Sequence, residues 1–152
     1  MLETCLVYFS KNRLDPLDGP ILRQLSKILN TSNKNNRPAG LTGALVFDDE
    51  WFLQSLEGER NEVWKAFKRI EADERHADVV VVEVKAIQKR VFGNWWMGLA
   101  RRGDATEQAF RPHLRDGKLK PDAMTGDEIL ALMTGLAQTG MSRKLAPSLV
   151  EG

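Results

Sequence analysis

The chain has 152 residues, 42% of them hydrophobic and 28% charged, with a net charge of +1 at pH 7. This is the composition of one globular domain, and the near-zero charge makes no electrostatic case for direct nucleic-acid or anionic-membrane binding. One cysteine and two histidines exclude an internal disulfide and leave no metal site of recognisable spacing.

The lone Cys5 fits a reducing compartment. No apolar run approaches the ~20 residues of a membrane span. The N-terminal MLETCLVYF has no basic leader and no small-residue cleavage site, so a cytoplasmic chain without a signal peptide is expected. There is no GxGxxG, P-loop or GxSxG motif, and no enzyme chemistry is expected.

Glu3 to Phe9 reads as a first strand. Thr4, Leu6 and Tyr8 share one face; Cys5, Val7 and Phe9 share the other. Tyr8 therefore stands on an inward stripe with a hydroxyl that needs a partner, and a backbone carbonyl would serve as well as a functional group. The loop SKNRLDPLDGP follows. Asp18 or Gly19 caps a helix there, with Pro20 at its first position. Ile21, Leu22, Leu25, Ile28 and Leu29 give this helix a stripe of period 3.6. The helix is expected to end in NTSNKNNRPAG, where Asn and Ser compete for the backbone and Pro38 blocks continuation.

Leu41 to Phe47 and Trp51 to Leu56 are two apolar runs around Asp48-Asp49-Glu50, a β-hairpin pattern. Along the second strand, Phe52, Gln54 and Leu56 share a face, as do Trp51, Leu53 and Ser55. Both faces are apolar, so the hairpin belongs inside a sheet covered on both sides. Gln54 is the anomaly, because a buried amide has donors and acceptors to satisfy. Either it is structural and bonded to backbone, or it faces a polar ligand in an apolar pocket.

Gly58 and Glu59 open a second helix with the stripe Val63, Trp64, Phe67 and Ile70. Beyond the stripe lie Asp73, Arg75 and His76, either a charged C-terminal turn or an arginine aimed at a carbonyl or phosphate. Asp78 to Ile87, with its Val79–Val82 run, reads as a central strand, and QKRVFGNWWMGLA adds a short apolar segment. Arg101 to Lys120 is polar and irregular, with a short helix near Glu107. Thr125-Gly126-Asp127-Glu128 matches a capping box, ahead of a helix whose apolar side is Ile129, Leu130, Met133, Leu136 and Ala137.

The order β-α-β-β-α-β with an extra short strand predicts an α+β fold, the ferredoxin-like sandwich with both helices on one sheet face. The C-terminal helical segment is expected to cover the other face. Residues 1–100 are read as the folded module and 101–152 as a C-terminal helical extension for output, a partner or a dimer contact.

Taken in order, these features resemble the BLUF domain, the family of flavin-based blue-light sensors. The resemblance rests on Tyr8 near the end of the first strand, Asn35-Asn36 followed by LTGAL, and F-x-Q-x-LEG around Gln54. It continues with D-x-R-H at Asp73 to His76 and F-x-x-W-x-M from Phe92 to Met97. The loop from Lys11 to Pro20 is longer than in many relatives, and Leu41 stands where isoleucine is commoner. The resemblance implies FAD, with FMN or riboflavin as alternatives, lying between the two helices. Asn36 would bond one edge of the ring and Arg75 another carbonyl. Ile28 and Leu45 would pack on its faces, with Ser32, Asn35, Asp73 and His76 nearby.

The resemblance also implies proton-coupled electron transfer from Tyr8 and rearrangement of Gln54, which swaps donor for acceptor at the flavin and shifts its absorption to the red. Trp95 and Met97, on one face of the last strand, would carry the change to the tail. The implied partners are a second copy of the chain and a separate signalling protein, either a cyclic-nucleotide or cyclic-di-nucleotide enzyme or a transcriptional regulator. Two rival readings are a flavin-free ferredoxin-like regulatory or nucleic-acid-binding module, supported by Lys89-Arg90 and Arg101-Arg102, and a small flavoenzyme. The first leaves Tyr8, Gln54 and Met97 unexplained; the second has no base or nucleophile to work with.

Overall fold

The computed structural model describes residues 2–93 and 96–139. Strand β1 (Glu3–Asn12) leads to helix α1 (Ile21–Ala39), then to the hairpin of β2 (Thr42–Phe47) and β3 (Trp51–Gly58). Helix α2 (Arg60–Glu71), β4 (His76–Ile87) and β5 (Gly98–Arg101) follow. A short helix α3 (Glu107–Phe110) and the longer α4 (Gly126–Thr139) complete the described chain. The sheet order is β4-β1-β3-β2-β5, antiparallel except for the parallel β2–β5 pair. This is the ferredoxin-like order with one strand added beyond β2.

Period two in the strands sorts the core into two layers. Leu6, Tyr8, Leu45, Phe47, Phe52 and Leu56 pack with Leu25, Ile28 and Leu29 of α1 and Val63, Ala66 and Phe67 of α2. Cys5, Val7, Phe9, Ala44, Val46 and Leu53 pack instead with Phe110, Met124 and the α4 residues Ile129, Leu132, Met133 and Leu136. Each α4 side chain buried there stabilises the contact by about 1.5–3 kcal/mol. The tail is thus the second cover of the sheet. Thr125 caps α4, its hydroxyl accepting from Glu128 N at 3.1 Å.

Two expectations are corrected. First, α1 ends within NTSNKNNRPAG as expected, but neither the asparagines nor Pro38 stop it: Pro38 lies inside the helix, which closes only at Gly40, whose φ of 68° is left-handed. Proline removes a donor and crowds the carbonyl one turn back, but so close to the end only the last turn is affected. Gly40 and Leu41 then satisfy the free carbonyls of Asn36 and Arg37. Asn35 and Asn36 are therefore helical residues. Second, β4 is an edge strand, not a central one. Val80, Val81 and Val84 are exposed. A run of valines records β-propensity but not whether both sides are covered.

Candidate functional site

Three elements converge on one cleft. From α1 it receives Ile28, Thr31, Ser32, Asn35 and Asn36; from α2 and the turn after it Ala66, Arg69, Ile70, Asp73 and Arg75; from the sheet Leu45, Gln54, Leu56 and, at the start of β4, His76. The cleft encloses about 680 Å³ of empty space, part of it open to solvent. All the ligand-contacting candidates named from the sequence lie along it: Ile28, Ser32, Asn35, Asn36, Leu45, Gln54, Asp73, Arg75 and His76. A slot that sets the apolar side chains Ile28, Leu45, Leu56, Ala66 and Ile70 among converging polar groups suits a flat organic ring with a polar edge.

Tyr8 is not on the cleft wall but behind it, fully buried. β1 and β3 pair so that Tyr8 stands opposite Gln54, and the Tyr8 hydroxyl donates a hydrogen bond to Gln54 Oε1. Gln54 Nε2 donates in turn to Met97 Sδ at 3.4 Å. Among the described residues, neither a backbone carbonyl for the phenol nor a backbone partner for the amide is realised. Burial, assisted by the charge of Asp73, pushes the Tyr8 phenol well above its ordinary range. Its ring is edge-on to Phe67 at 5.7 Å.

Met97 immediately precedes β5 rather than lying within it, and it is buried. Trp95, the other residue expected to exchange with it, lies outside the described residues. Asn36 Nδ2 donates to the Trp96 carbonyl at 3.1 Å. The stretch entering β5 is thus bonded to two cleft residues at once, Asn36 and Gln54.

Just past α2, Asp73 holds Arg75 through Arg75 Nε at 2.9 and 3.0 Å and through its backbone N at 3.0 Å. Burial would raise the Asp73 carboxyl, but these bonds and the Arg75 charge hold it below its usual range. The guanidinium is fixed by a bidentate pair with Asp73, a geometry that orients its remaining N–H groups. His76 packs on Phe52 at 4.7 Å and meets Ser10 Oγ through Nδ1 at 2.8 Å. Burial lowers its pKa to about 4, with Asp73 opposing and Arg75 assisting.

Some residues escaped the reading of the sequence. Thr31 completes the helical series Ile28, Thr31, Ser32, Asn35, Asn36, and Ala66, Arg69, Ile70, Asp73 form a second such series; helical spacing could have found both. Ser10 shares the face of Tyr8. Glu57 carried the same signal as Gln54, a polar group in a buried strand. Its carboxylate accepts from Val91 N at 2.6 Å, Phe92 N at 2.9 Å and the Thr42 hydroxyl at 3.1 Å. Burial raises its pKa against those bonds. Arg90 beside it is paired with Glu3 at 2.7 Å, and Arg102 with Glu107 at 2.9 Å. These arginines serve internal ion pairs, which removes much of the support for a nucleic-acid module.

Among the described residues no helix is long and apolar enough to cross a membrane, and no group of metal-ligating side chains gathers. Comparison with known proteins agrees with the geometry. The photoactivated adenylate cyclase subunit beta of Euglena gracilis is 36% identical over 72 residues, 47% of this chain and 8% of that protein. The blue light- and temperature-regulated antirepressor BluF of Escherichia coli (strain K12) is 29% identical over 96 residues, 63% of this chain and 23% of that protein. The chain thus spans a small part of these relatives. The solved structure of BlsA in its photo-activated state superposes with a TM-score of 0.79 over 92% of this chain and 98% of that one, at 24% identity, which speaks for the fold. The family model described as BLUF, sensors of blue-light using FAD, matches residues 4–98. The chain belongs to the BLUF family, and this stretch is its flavin-binding, blue-light-sensing module.

Proposed function

We propose that this protein is a blue-light photoreceptor whose switch is the hydrogen-bonded series Tyr8–Gln54–Met97, with FAD in the cleft between α1 and α2. The observation that carries the reading is that series itself. It runs from β1 through β3 to the residue entering β5, and its middle member lines the cleft. Asn36, Arg75 and His76 supply polar contacts around an apolar slot walled by Ile28 and Leu45, with Ser32 and Asn35 along the α1 side.

A flavin bound there supplies blue-light absorption and a strong electron acceptor in its excited state. The protein supplies the response. Tyr8 is a neutral phenol held in a dry site, and its proton points at Gln54 Oε1. Loss of an electron makes a phenol strongly acidic, so the proton path is laid toward the amide. Gln54 Oε1 and Nε2 have opposite hydrogen-bond roles. Rearranging this amide exchanges donor for acceptor at the cleft wall and alters its bond to Met97. The change then reaches the strand that enters the sheet under the tail.

The function is a sensor's, without catalysis by this module. Output is read as passing through β5 and the 101–152 extension to a second copy or to a separate signalling protein, a cyclic-nucleotide or cyclic-di-nucleotide enzyme or a transcriptional regulator. The names of the relatives, an adenylate cyclase subunit and an antirepressor, support that range. FAD rather than FMN or riboflavin rests on the family's description. The buried free thiol of Cys5 suits a reducing, cytoplasmic setting.

The test is the absorption spectrum of the purified protein before and after blue light, with mass spectrometry of the released cofactor. Flavin bands that move to the red and return in darkness are the expected result. A protein that takes up no added flavin would overturn the reading.

A further inference from the structure

Ser10 and His76 come together where β1 meets the start of β4. Ser10 is fully buried, and its hydroxyl lies 2.8 Å from His76 Nδ1. Among the described residues this is the only hydrogen bond to either side chain. A neutral imidazole has one N–H donor and one acceptor nitrogen, and its partner decides which is which.

Two arrangements are open. If Nδ1–H donated to Ser10 Oγ, the serine's own hydrogen would sit in the dry interior without an acceptor, a disadvantage of roughly ten-fold or more in equilibrium. If Ser10 donates to Nδ1, both atoms are satisfied and the ring proton moves to Nε2. That nitrogen is on the side of the ring away from Ser10, on a residue that lines the cleft. We infer that Ser10 is a positioning residue that holds His76 as its Nε2–H tautomer, so that the cleft offers an N–H donor to an acceptor oxygen or nitrogen of its ligand.

Other features agree. His76 is neutral near pH 7, its pKa lowered by burial to about 4, so a tautomer choice exists at physiological pH. The ring is fixed against Phe52 and edge-on to Tyr8, so its nitrogens cannot exchange places freely. The ligand half of the inference rests on the flavin reading above; the tautomer half does not.

The experiment is nitrogen-15 NMR of the histidine rings, on protein without and with FAD, alongside FAD titration. His76 should show a protonated Nε2 and a bare Nδ1 in the wild type. Ser10→Ala should turn the ring into a mixture of tautomers and weaken FAD binding about five-fold, the scale of one hydrogen bond. Ser10→Thr, which keeps the hydroxyl, should restore both. A protonated Nδ1 in the wild type would overturn the inference, and so would an unchanged tautomer in a folded Ser10→Ala protein. Should Ser10→Ala fail to fold, the wild-type spectrum alone decides. A wild type with the stated tautomer but no uptake of FAD would sink the flavin reading while leaving the role of Ser10 standing.

Discussion

Tyr8 and Gln54 stand directly opposite each other on β1 and β3, and the phenol donates to the amide oxygen. The pairing fixes the orientation of the amide: oxygen toward Tyr8, nitrogen toward Met97. It also ties the Tyr8 hydroxyl to a register held along both strands, from Thr4 opposite Gly58 to Lys11 opposite Trp51. Tyr8→Phe keeps the ring against Phe67 and removes only the hydroxyl. Gln54 Oε1 then loses its donor, at a cost of about 1–3 kcal/mol. Flavin uptake should persist and the light-induced red shift should vanish. A difference spectrum of the variant checks this; an unaltered shift would remove Tyr8 from the mechanism.

The two bonds of Gln54 are unequal, because a thioether is a weak acceptor. Met97→Leu exchanges shapes of similar volume and should cost under about 1.5 kcal/mol. Gln54→Leu strips both bonds and strands the buried phenol, at about 1–3 kcal/mol. The expected contrast is spectroscopic. Gln54→Leu should bind flavin without a red shift, whereas Met97→Leu should keep the shift and change the rate of dark recovery. Flash photolysis of the two variants separates them.

Gly43 sits in β2 opposite Leu56, where a Cβ would come within 1.9 Å of the Ser55 carbonyl oxygen. The obstacle is backbone and cannot swing aside. Gly43→Ala must push β2 away from β3 next to Gln54, costing about 1–3 kcal/mol or more. Both the unfolding midpoint and flavin affinity should fall, by calorimetry and titration. A variant of native stability would show that the sheet yields there.

Much of this arrangement was legible in the sequence because it follows from periodicity. Period two placed Tyr8 and Gln54 on a covered face, and period 3.6 placed Ile28 on the inner stripe of α1. The asparagine run misled because propensity is local, while the end of α1 is set by left-handed Gly40, whose N–H closes on the Arg37 and Asn36 carbonyls. The edge position of β4 was hidden because strand order depends on pairing between distant segments. The bond from Ser10 to His76 spans 66 positions, and no local pattern announces it.

Glu57 is a buried carboxylate with three donors on it, two of them consecutive backbone N–H groups that enter the turn after β4. Glu57→Ala leaves Val91 N, Phe92 N and the Thr42 hydroxyl without their acceptor. A loss of roughly 3 kcal/mol or more is expected. Glu57→Gln keeps one acceptor oxygen and should recover part of it. Denaturant unfolding of both variants measures the difference; equal, near-native stability would mean that water replaces the carboxylate.

His76 makes stability depend on pH in a defined direction. Its folded pKa of about 4 lies below the ordinary 6.5, so the unfolded chain binds the proton more readily. Its contribution is therefore complete above pH 6.5 and is lost as the pH falls from there to about 4, below which it changes no further. The full shift corresponds to roughly 3 kcal/mol as an upper value. Asp73, held below its usual range by Arg75, contributes with the same sign but at lower pH, below the ordinary carboxylate range. His76→Gln should flatten the upper limb of the profile and leave the acid limb in place. Unfolding free energies of wild type and variant between about pH 2 and about pH 7.5 test this. A wild-type profile already flat above pH 4.5 would mean that the His76 ring accepts its proton in the folded state as easily as in water.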